Sequence, residues 1–419
     1  MGYIGTFVDM RGFYTLFSRS CFFLSLLTIN ALAGGFEQSY QSARIMGLGG
    51  IGNGFRMGAA STFYNPGAIS FLPKSSVTFG AAFNSSESSY LSPYTGNTNQ
   101  EKKVLAPVHI YGVLKLDDEK SAIGLSINQP FGIHTSWPSD WTGRYIVTES
   151  GLSTWFIQPA FSYKFTENFS AGGGPVIAFG HRTLTRNINI TGQGNQEEVQ
   201  DFDGHGTGFG GNVGLYYENE ELFAVGLTFK TSVNLKTSGG DVSFSHVPGS
   251  LANEYPSLSY DSDLKLPSEI NLAASYMPIR ELLLIASFSY TGWSSVNDTR
   301  FDTNGSDDLD YNSGWDMENT LSFRVGAEYE VSDKISVRAG LGLDPSPVKD
   351  EHLTPELPDA DRFIGSLGLT VRFSETFSAD LAFLTENNRE REVYNYAIAF
   401  GGTYKTITNH FGFTLNYDF

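Results

Sequence analysis

Two kinds of connection, strictly interleaved, punctuate this chain. Six are short and mostly acidic: Asp117 to Lys120, Thr166 to Asn168, Glu218 to Glu221, Pro278 to Glu281, Ser332 to Asp333 and Ser374 to Glu375. Seven are long and polar, over roughly 85–103, 132–153, 182–206, 236–264, 292–318, 345–361 and 387–406. The segments between them are runs of about ten residues in which apolar and polar side chains alternate, the length of a tilted strand that crosses a bilayer. Trimmed turns at one end and elaborated loops at the other are the signature of a closed antiparallel barrel, all-β, of about fourteen strands.

The alternation also says what surrounds the barrel. Phe223, Val225, Leu227, Phe229, Val233 and Leu235 share one parity, with Ala224, Gly226, Thr228, Lys230, Ser232 and Asn234 on the other. Leu321, Phe323, Val325, Ala327 and Tyr329 stand likewise against Ser322, Arg324, Gly326, Glu328 and Glu330, and Ile335, Val337, Ala339 and Leu341 against Ser336, Arg338, Gly340 and Gly342. A soluble barrel packs its apolar set inside; here charges recur on the second face, so the apolar face meets lipid and closure satisfies the backbone. If Val331 pairs with Ile335 across the Ser332–Asp333 turn, Glu328 falls opposite Arg338 in the lumen, where opposite charges stabilise a strand pair.

No stretch reaches the roughly 18–20 apolar residues of a transmembrane helix. The net charge of −18 argues against nucleic acid as a partner. Much of it sits in loops, as at Asp302, Asp307, Asp308, Asp310, Asp316 and Glu318. These carboxylates are either a solvated, self-repelling loop or groups that share divalent cations with anionic lipopolysaccharide. Asp308, Asp310 and Asn312 begin like a calcium loop, but Ser313 stands where glycine is required, so no dedicated metal site and no cofactor is expected.

Arg11 and Arg19 precede the apolar run Cys21 to Leu27 and the small-x-small sequence Ala31-Leu32-Ala33, which reads as a signal peptide over 1–33 removed before Gly34. Met10 would make a more ordinary start than Met1. Cys21, the one cysteine, lies in that segment, so thiol and disulfide chemistry are excluded from the mature chain. At the other end Phe411, Phe413, Leu415, Tyr417 and Phe419 alternate with Gly412, Thr414, Asn416 and Asp418. A last strand ending in Phe is like the signal that outer-membrane barrel assembly machinery reads, placing the chain in the outer membrane of a Gram-negative bacterium.

Residues 34–75 do not alternate, are rich in glycine and alanine, and end in Tyr64-Asn65-Pro66-Gly67-Ala68. A segment too long for a linker and too apolar for a disordered tail needs somewhere to pack. The lumen of the 76–419 barrel is the available place, so it reads as a plug. No strand precedes its glycines and no phosphate-binding lysine follows, which sets a nucleotide loop aside.

Gly34-Gly35-Phe36, the plug's Asn65-Pro66, Thr142-Gly143-Arg144-Tyr145, Leu341-Gly342-Leu343-Asp344-Pro345-Ser346-Pro347, the run Leu357-Pro358-Asp359-Ala360-Asp361-Arg362, and Gly402-Thr403-Tyr404 through Phe419 together resemble the FadL/TodX family of outer-membrane hydrophobic-compound transporters. Gly67 stands where that family usually has alanine. The resemblance implies a fourteen-stranded barrel with an N-terminal hatch, an aromatic residue of the tail (Phe36) in the binding pocket, and a kinked third strand that opens the wall. That strand is Ala122 to Phe131, with Gln129-Pro130-Phe131-Gly132 at its far end. Proline cannot donate to a ladder and glycine weakens it, so the pair marks a break in pairing or the start of the long loop.

The expected cargo is a hydrophobic small molecule, a long-chain fatty acid first and an aromatic hydrocarbon as the alternative. Each methylene gains about 0.8 kcal/mol on leaving water, so release of about sixteen of them into the periplasm costs on the order of 10 kcal/mol, and release sideways into the bilayer avoids it. Trp137, Trp141, Tyr145 and Trp155 are candidates for a landing surface or, equally, for girdle anchors. Arg182 and Arg186 are candidates for binding the carboxylate. An enzyme is not expected: histidines 109, 134, 181, 205, 246, 352 and 410 form no recognisable pair with Ser and Asp on one strand face. A general porin would lack the plug, and a receptor role of the loops has no sequence support.

Overall fold

A computed structural model describes residues 34–190, 198–219, 222–297, 299–305 and 307–419. The signal-peptide reading of 1–33 and part of the Glu218–Glu221 turn lie outside the described residues. Fourteen antiparallel strands close into a barrel. They are β1 (Ser76–Ser92), β2 (Val108–Lys115), β3 (Ser121–Asn128, resuming over Gly132–Ser136), β4 (Glu149–Lys164), β5 (Phe169–Ile188) and β6 (Glu198–Asn219). Then come β7 (Phe223–Lys230 and Val233–Ser245), β8 (Leu258–Leu266 and Glu269–Ile279), β9 (Leu282–Thr291), β10 (Thr320–Ser332), β11 (Ile335–Asp344), β12 (Arg362–Arg372), β13 (Phe377–Asn388) and β14 (Phe400–Asp418). Closure is made by β1 on β14, from Ser76↔Asp418 to Leu91↔Thr403. Among the described residues no helix is long and apolar enough to cross a membrane.

The faces divide as the alternation requires. Phe79, Leu341 and Phe411 are each about half exposed on the outer wall, whereas Arg324, Glu328 and Arg338 are buried inside. Glu328 does lie opposite Arg338, and their side chains are ion-paired. The turn below them differs from the expected register: a bulge between Glu330 and Ser332 puts Ser332, not Val331, across from Ile335. A second difference is in β7. Its ladder breaks at Thr231–Ser232, and the break reverses the phase, so Val233 and Leu235 turn into the lumen, 3% exposed each, instead of continuing the outer face of Phe223 to Phe229. Glycines 180, 208 and 210 give them room, since a Cβ at any of these would meet their methyl groups. The strands also run past the expected loop boundaries: β5 and β6 stay paired from Phe169↔Tyr217 to Ile188↔Glu198, through most of the region read as a loop over 182–206.

Residues 34–75 occupy the lumen. They form a short helix α1 (Ala43–Gly47), a second α2 (Ser61–Tyr64) and a 3₁₀ turn over Pro66–Phe71. Two kinds of contact seat them. Backbone meets backbone where wall and plug are both glycine: a Cβ on Gly47 would stand 2.9 Å from the Gly368 Cα, and one on Gly340 would collide with the Gly49 backbone. Arg44 of α1 reaches Glu328 with two bonds, 3.0 and 3.1 Å, and Glu328 in turn binds Arg338, which binds Asp380. A carboxylate bound bidentately by one arginine and again by a second ties plug and wall together in the geometry in which buried charge is tolerated.

Candidate functional site

The wall is discontinuous at β3. Its lower half pairs with β2 from Lys115↔Ala122 to Ile110↔Ile127. Above the interruption, Gly132–Ser136 pairs with β4, and among the described residues it has no ladder on the β2 side. Gln129 to Phe131 carry the break: Pro130 has no N–H to donate, and Thr154 Oγ1 bonds both the Phe131 N–H, at 3.1 Å, and its carbonyl, at 2.7 Å, drawing that residue toward β4. The opening is bounded below by the Val108 N–H donating to Gln129 Oε1 at 2.9 Å and above by the Glu101 N–H donating to the Ser136 carbonyl at 2.9 Å. A cavity of about 370 Å³ fills it, lined by Leu105, Pro107, Gln129, Phe131, Ile133 and His134 among others.

From inside, the N-terminal tail covers this gap. Gln38 N–H donates to the Pro130 carbonyl at 2.7 Å and Gly132 N–H to the Phe36 carbonyl at 3.0 Å, so residues 36–38 act as the missing strand neighbour. Phe36 is buried, its ring 5.0 Å from Trp293, 5.7 Å from Trp315 and 6.1 Å from Phe131. Glu37, between the two tail bonds, looks into the lumen beside the Lys230–Glu269 ion pair; burial and then Glu269 push its carboxyl up to about 7.

The tail is fastened at its start by the Pro358–Arg362 run. Asp359 accepts from the Gly35 N–H at 3.0 Å and from Ser346 Oγ at 2.8 Å, and pairs with Arg362 at 2.8 Å. Arg362 also donates to the Gly35 carbonyl and pairs with Glu386 at 3.3 Å. Asp361 accepts from the Ser346 N–H at 3.0 Å, and the Pro358 carbonyl from Thr406. Gly35 sits at φ +80°, and a Cβ there would enter the Trp293 ring, so both its conformation and its space require glycine. In sequence the run is a family motif without an evident task; its partner in the tail, Gly35, is more than 320 residues away, and spacing gives no cue to that.

Asn65, Pro66 and Gly67 seat the far end of the plug. Asn65 accepts from the Gly67 N–H at 3.0 Å and donates to Asn53 and to the Leu215 carbonyl, while the Gly67 carbonyl accepts from Ser162 and Ser170. An alanine Cβ at 67 would stand 2.7 Å from the Gly214 carbonyl oxygen, which accounts for glycine there.

Trp137 and Trp141 stack at 4.5 Å and are 3% exposed each, closed in by Tyr90, Phe400 and Tyr404. They form a buried aromatic cap below the loops instead of an open surface. Their indole N–H groups donate to the Pro355 and Val147 carbonyls, which fixes them there. Tyr145 remains exposed under the Arg144 guanidinium, and Trp155 stands on the outer wall. Arg182 is buried, stacked over Phe301 at 4.1 Å and near Trp315 at 5.5 Å. Its Nη2 donates to Ser313 Oγ, but Nη1 has no partner among the described residues, nor do the Trp315 indole N–H and one oxygen of Glu356. Burial holds the Glu356 carboxyl above its ordinary value, against the pull of Arg182. Arg186 lies over Tyr311 and donates to Gln200 and the Asp310 carbonyl.

A model of the family described as "Outer membrane protein transport protein (OMPP1/FadL/TodX)" matches residues 24–419. Among curated relatives, the "47 kDa outer membrane protein" of Pasteurella multocida is 24% identical over 86% of this chain and 88% of its own length. The "Long-chain fatty acid transport protein" of Salmonella typhi is 21% identical over 88% of this chain and 91% of its own. Among solved structures, a FadL homologue of Pseudomonas aeruginosa superposes with a TM-score of 0.81 at 21% identity, over 92% of this chain and all of that one. The chain belongs to the OMPP1/FadL/TodX family and is an outer-membrane transporter of hydrophobic compounds, not an enzyme.

Proposed function

We propose that the chain takes up long-chain fatty acids, which enter under the loops, rest in the aromatic lumen and leave sideways through the gap in β3. The observation that carries this reading is the tail itself: Phe36 to Gln38 hydrogen-bonds the interrupted strand and fills the space beside it. A ligand that displaces Phe36 therefore also breaks the bonds that cover the gap. An alkyl chain would lie against Trp293 and Trp315 in the space Phe36 vacates, with its carboxylate at Arg182 Nη1 and the Trp315 indole N–H, two neighbouring buried donors that lack acceptors among the described residues. A buried donor left unsatisfied costs about 1–3 kcal/mol, which an incoming carboxylate recovers. Burial raises the Glu356 carboxyl above its ordinary value, which weakens its repulsion of an incoming carboxylate. Trp137 and Trp141 would offer the first apolar contact inside the mouth, with Tyr145 at its rim.

The test uses the absence of cysteine after residue 33. Cysteines replacing Leu105 and Ile133, both lining the gap, are joined by a bismaleimide with a reducible linker. Uptake of oleate should stop while oleate binding persists, and reductant should restore it. Undiminished uptake in the cross-linked form refutes lateral exit. Arg182→Gln should weaken oleate about 10- to 150-fold, the value of a hydrogen bond to a charged group, and leave the methyl ester unchanged. Toluene uptake without oleate uptake would instead assign an aromatic hydrocarbon.

A further inference from the structure

On the outer wall, β5 and β6 bring together three side chains that take no part in seating the plug or lining the lumen. His181 and His205 are direct cross-strand partners, and their rings stack with centroids 4.4 Å apart and planes 15° from parallel. Asp203, two residues before His205 and so on the same face, accepts from or pairs with His181 Nε2 at 3.0 Å. One donor atom from each lies within 4.8 Å of the other two. The side chains are open to the surroundings, 39% for His181 and 57% for Asp203, and the one ion-pair partner of Asp203 among the described residues is His181. On the same face, one pair nearer the membrane, stand Phe179 and its partner Trp155 in the aromatic girdle, so the three sit just above it.

We propose that His181, Asp203 and His205 bind a divalent transition metal, zinc in the first instance. Imidazole and carboxylate at neutral pH suit zinc, copper or nickel, whereas magnesium and calcium prefer all-oxygen sets. Zinc held at about 2.0–2.2 Å by each ligand needs donors about 3.4 Å apart in a tetrahedron. His181 and Asp203, in direct contact at 3.0 Å, need to part by only a few tenths of an ångström, so the larger adjustment falls on His205, an exposed ring that can turn about its side-chain bonds. Three protein donors leave the fourth position open. At this height it faces the anionic oxygens of lipid headgroups, and His181 also lines the outer side of the β3 gap, so the ion would stand at the rim of that gap. A solvated His–Asp pair alone contributes little to stability, and two stacked imidazoles add repulsion once both are protonated, so structure by itself gives the trio no evident use.

The experiment is zinc titration of the tag-free mature chain in detergent, read by competition with a chromophoric chelator, with the visible spectrum of bound cobalt as a second signal. One equivalent should bind and resist excess magnesium. His181→Gln with His205→Gln should abolish that equivalent, and Asp203→Asn alone should weaken it beyond the 10- to 100-fold that loss of an outer-shell partner costs. His246→Gln with His352→Gln, changing loop histidines elsewhere, should leave it intact. Heat-modifiable gel mobility verifies that each variant is a barrel. If the double variant does not assemble, His205→Gln is tested in its place. No saturable zinc in the unmodified chain, or an equivalent that survives in a folded His181/His205 variant, overturns the proposal.

Discussion

Removing the carboxylate of Asp359 by substitution with alanine should loosen the tail and the barrel by different amounts. Asp359 receives the Gly35 N–H, the Ser346 hydroxyl and the Arg362 guanidinium, and its side chain is 1% exposed. Of these, only the Gly35 bond joins tail to wall. A hydrogen bond to a charged group is worth about 1.5–3 kcal/mol, so tail opening should become roughly 10- to 150-fold more frequent. The wall feels a separate and larger loss, because stripping one partner from a buried ion pair costs about 3–5 kcal/mol, eased here by the remaining Arg362–Glu386 pair. Hydrogen exchange resolves the two. The amides of Gln38 and Gly132, whose bonds exist only while the tail is docked, should lose protection by that factor. Those of Met46 and Gly50, bonded within the plug, should change far less. Unchanged protection at Gln38 and Gly132 in a folded Asp359→Ala barrel would refute the claim that this motif holds the tail.

Other perturbations separate the remaining parts. Phe413→Arg puts a charge on the lipid face and should cost about 2–4 kcal/mol near the midplane, whereas Asn416→Arg, whose site faces Asp380 in the lumen, should assemble far better; equal loss in an assembly assay would mean the phase is wrong. Gly340→Ala, colliding with the Gly49 backbone, should destabilise by about 1–3 kcal/mol in denaturant melts, while Gly365→Ala, with nothing near its new methyl, should be neutral. Deleting residues 34–67 should raise single-channel conductance in planar bilayers above that of the chain from residue 34 onward. Glu37 has a docked-state pKa raised from 4.5 to about 7, so the docked tail binds more protons and its stability falls as pH rises across that window, levelling off above it. The protection factor of the Gln38 amide, its rate corrected for the intrinsic pH dependence of exchange, should therefore be lower at pH 8 than at pH 5, and Glu37→Gln should remove the difference.

The strand count, the lipid-facing phase and the Glu328–Arg338 pair were legible because each depends on a period of two and on turn position, which a sequence displays directly. The β7 reversal was not. Val233 and Leu235 keep the parity of Phe229, and only the broken ladder at Thr231–Ser232 turns them inward. Strand lengths were underestimated above the girdle: β5 and β6 continue there with Thr183, Thr185, Asp201 and Asp203 on the outer face and a mixture of Leu184, Phe202 and charged residues inside, which erases the alternation that marks a membrane strand. That same extension hid the meeting of His181 with His205, since residues assigned to a loop have no register. Trp137 and Trp141 carry no signal distinguishing a buried stack from an exposed platform. The Asp359 clamp joins segments from opposite ends of the chain, a pairing that one sequence cannot display.

The glycine contacts between plug and wall bear on how such barrels can be re-engineered. At Gly47 against Gly368 and Gly49 against Gly340, two main chains touch with no side chain between them. Side chains can change rotamer to admit a slightly different neighbour, but main chains fixed in a ladder and a helix have no such adjustment. The two surfaces are therefore a matched casting. A plug grafted from a related transporter will seat only if the recipient strands carry small residues at the same heights, so a productive chimera has to move positions such as 340 and 368 together with residues 34–75.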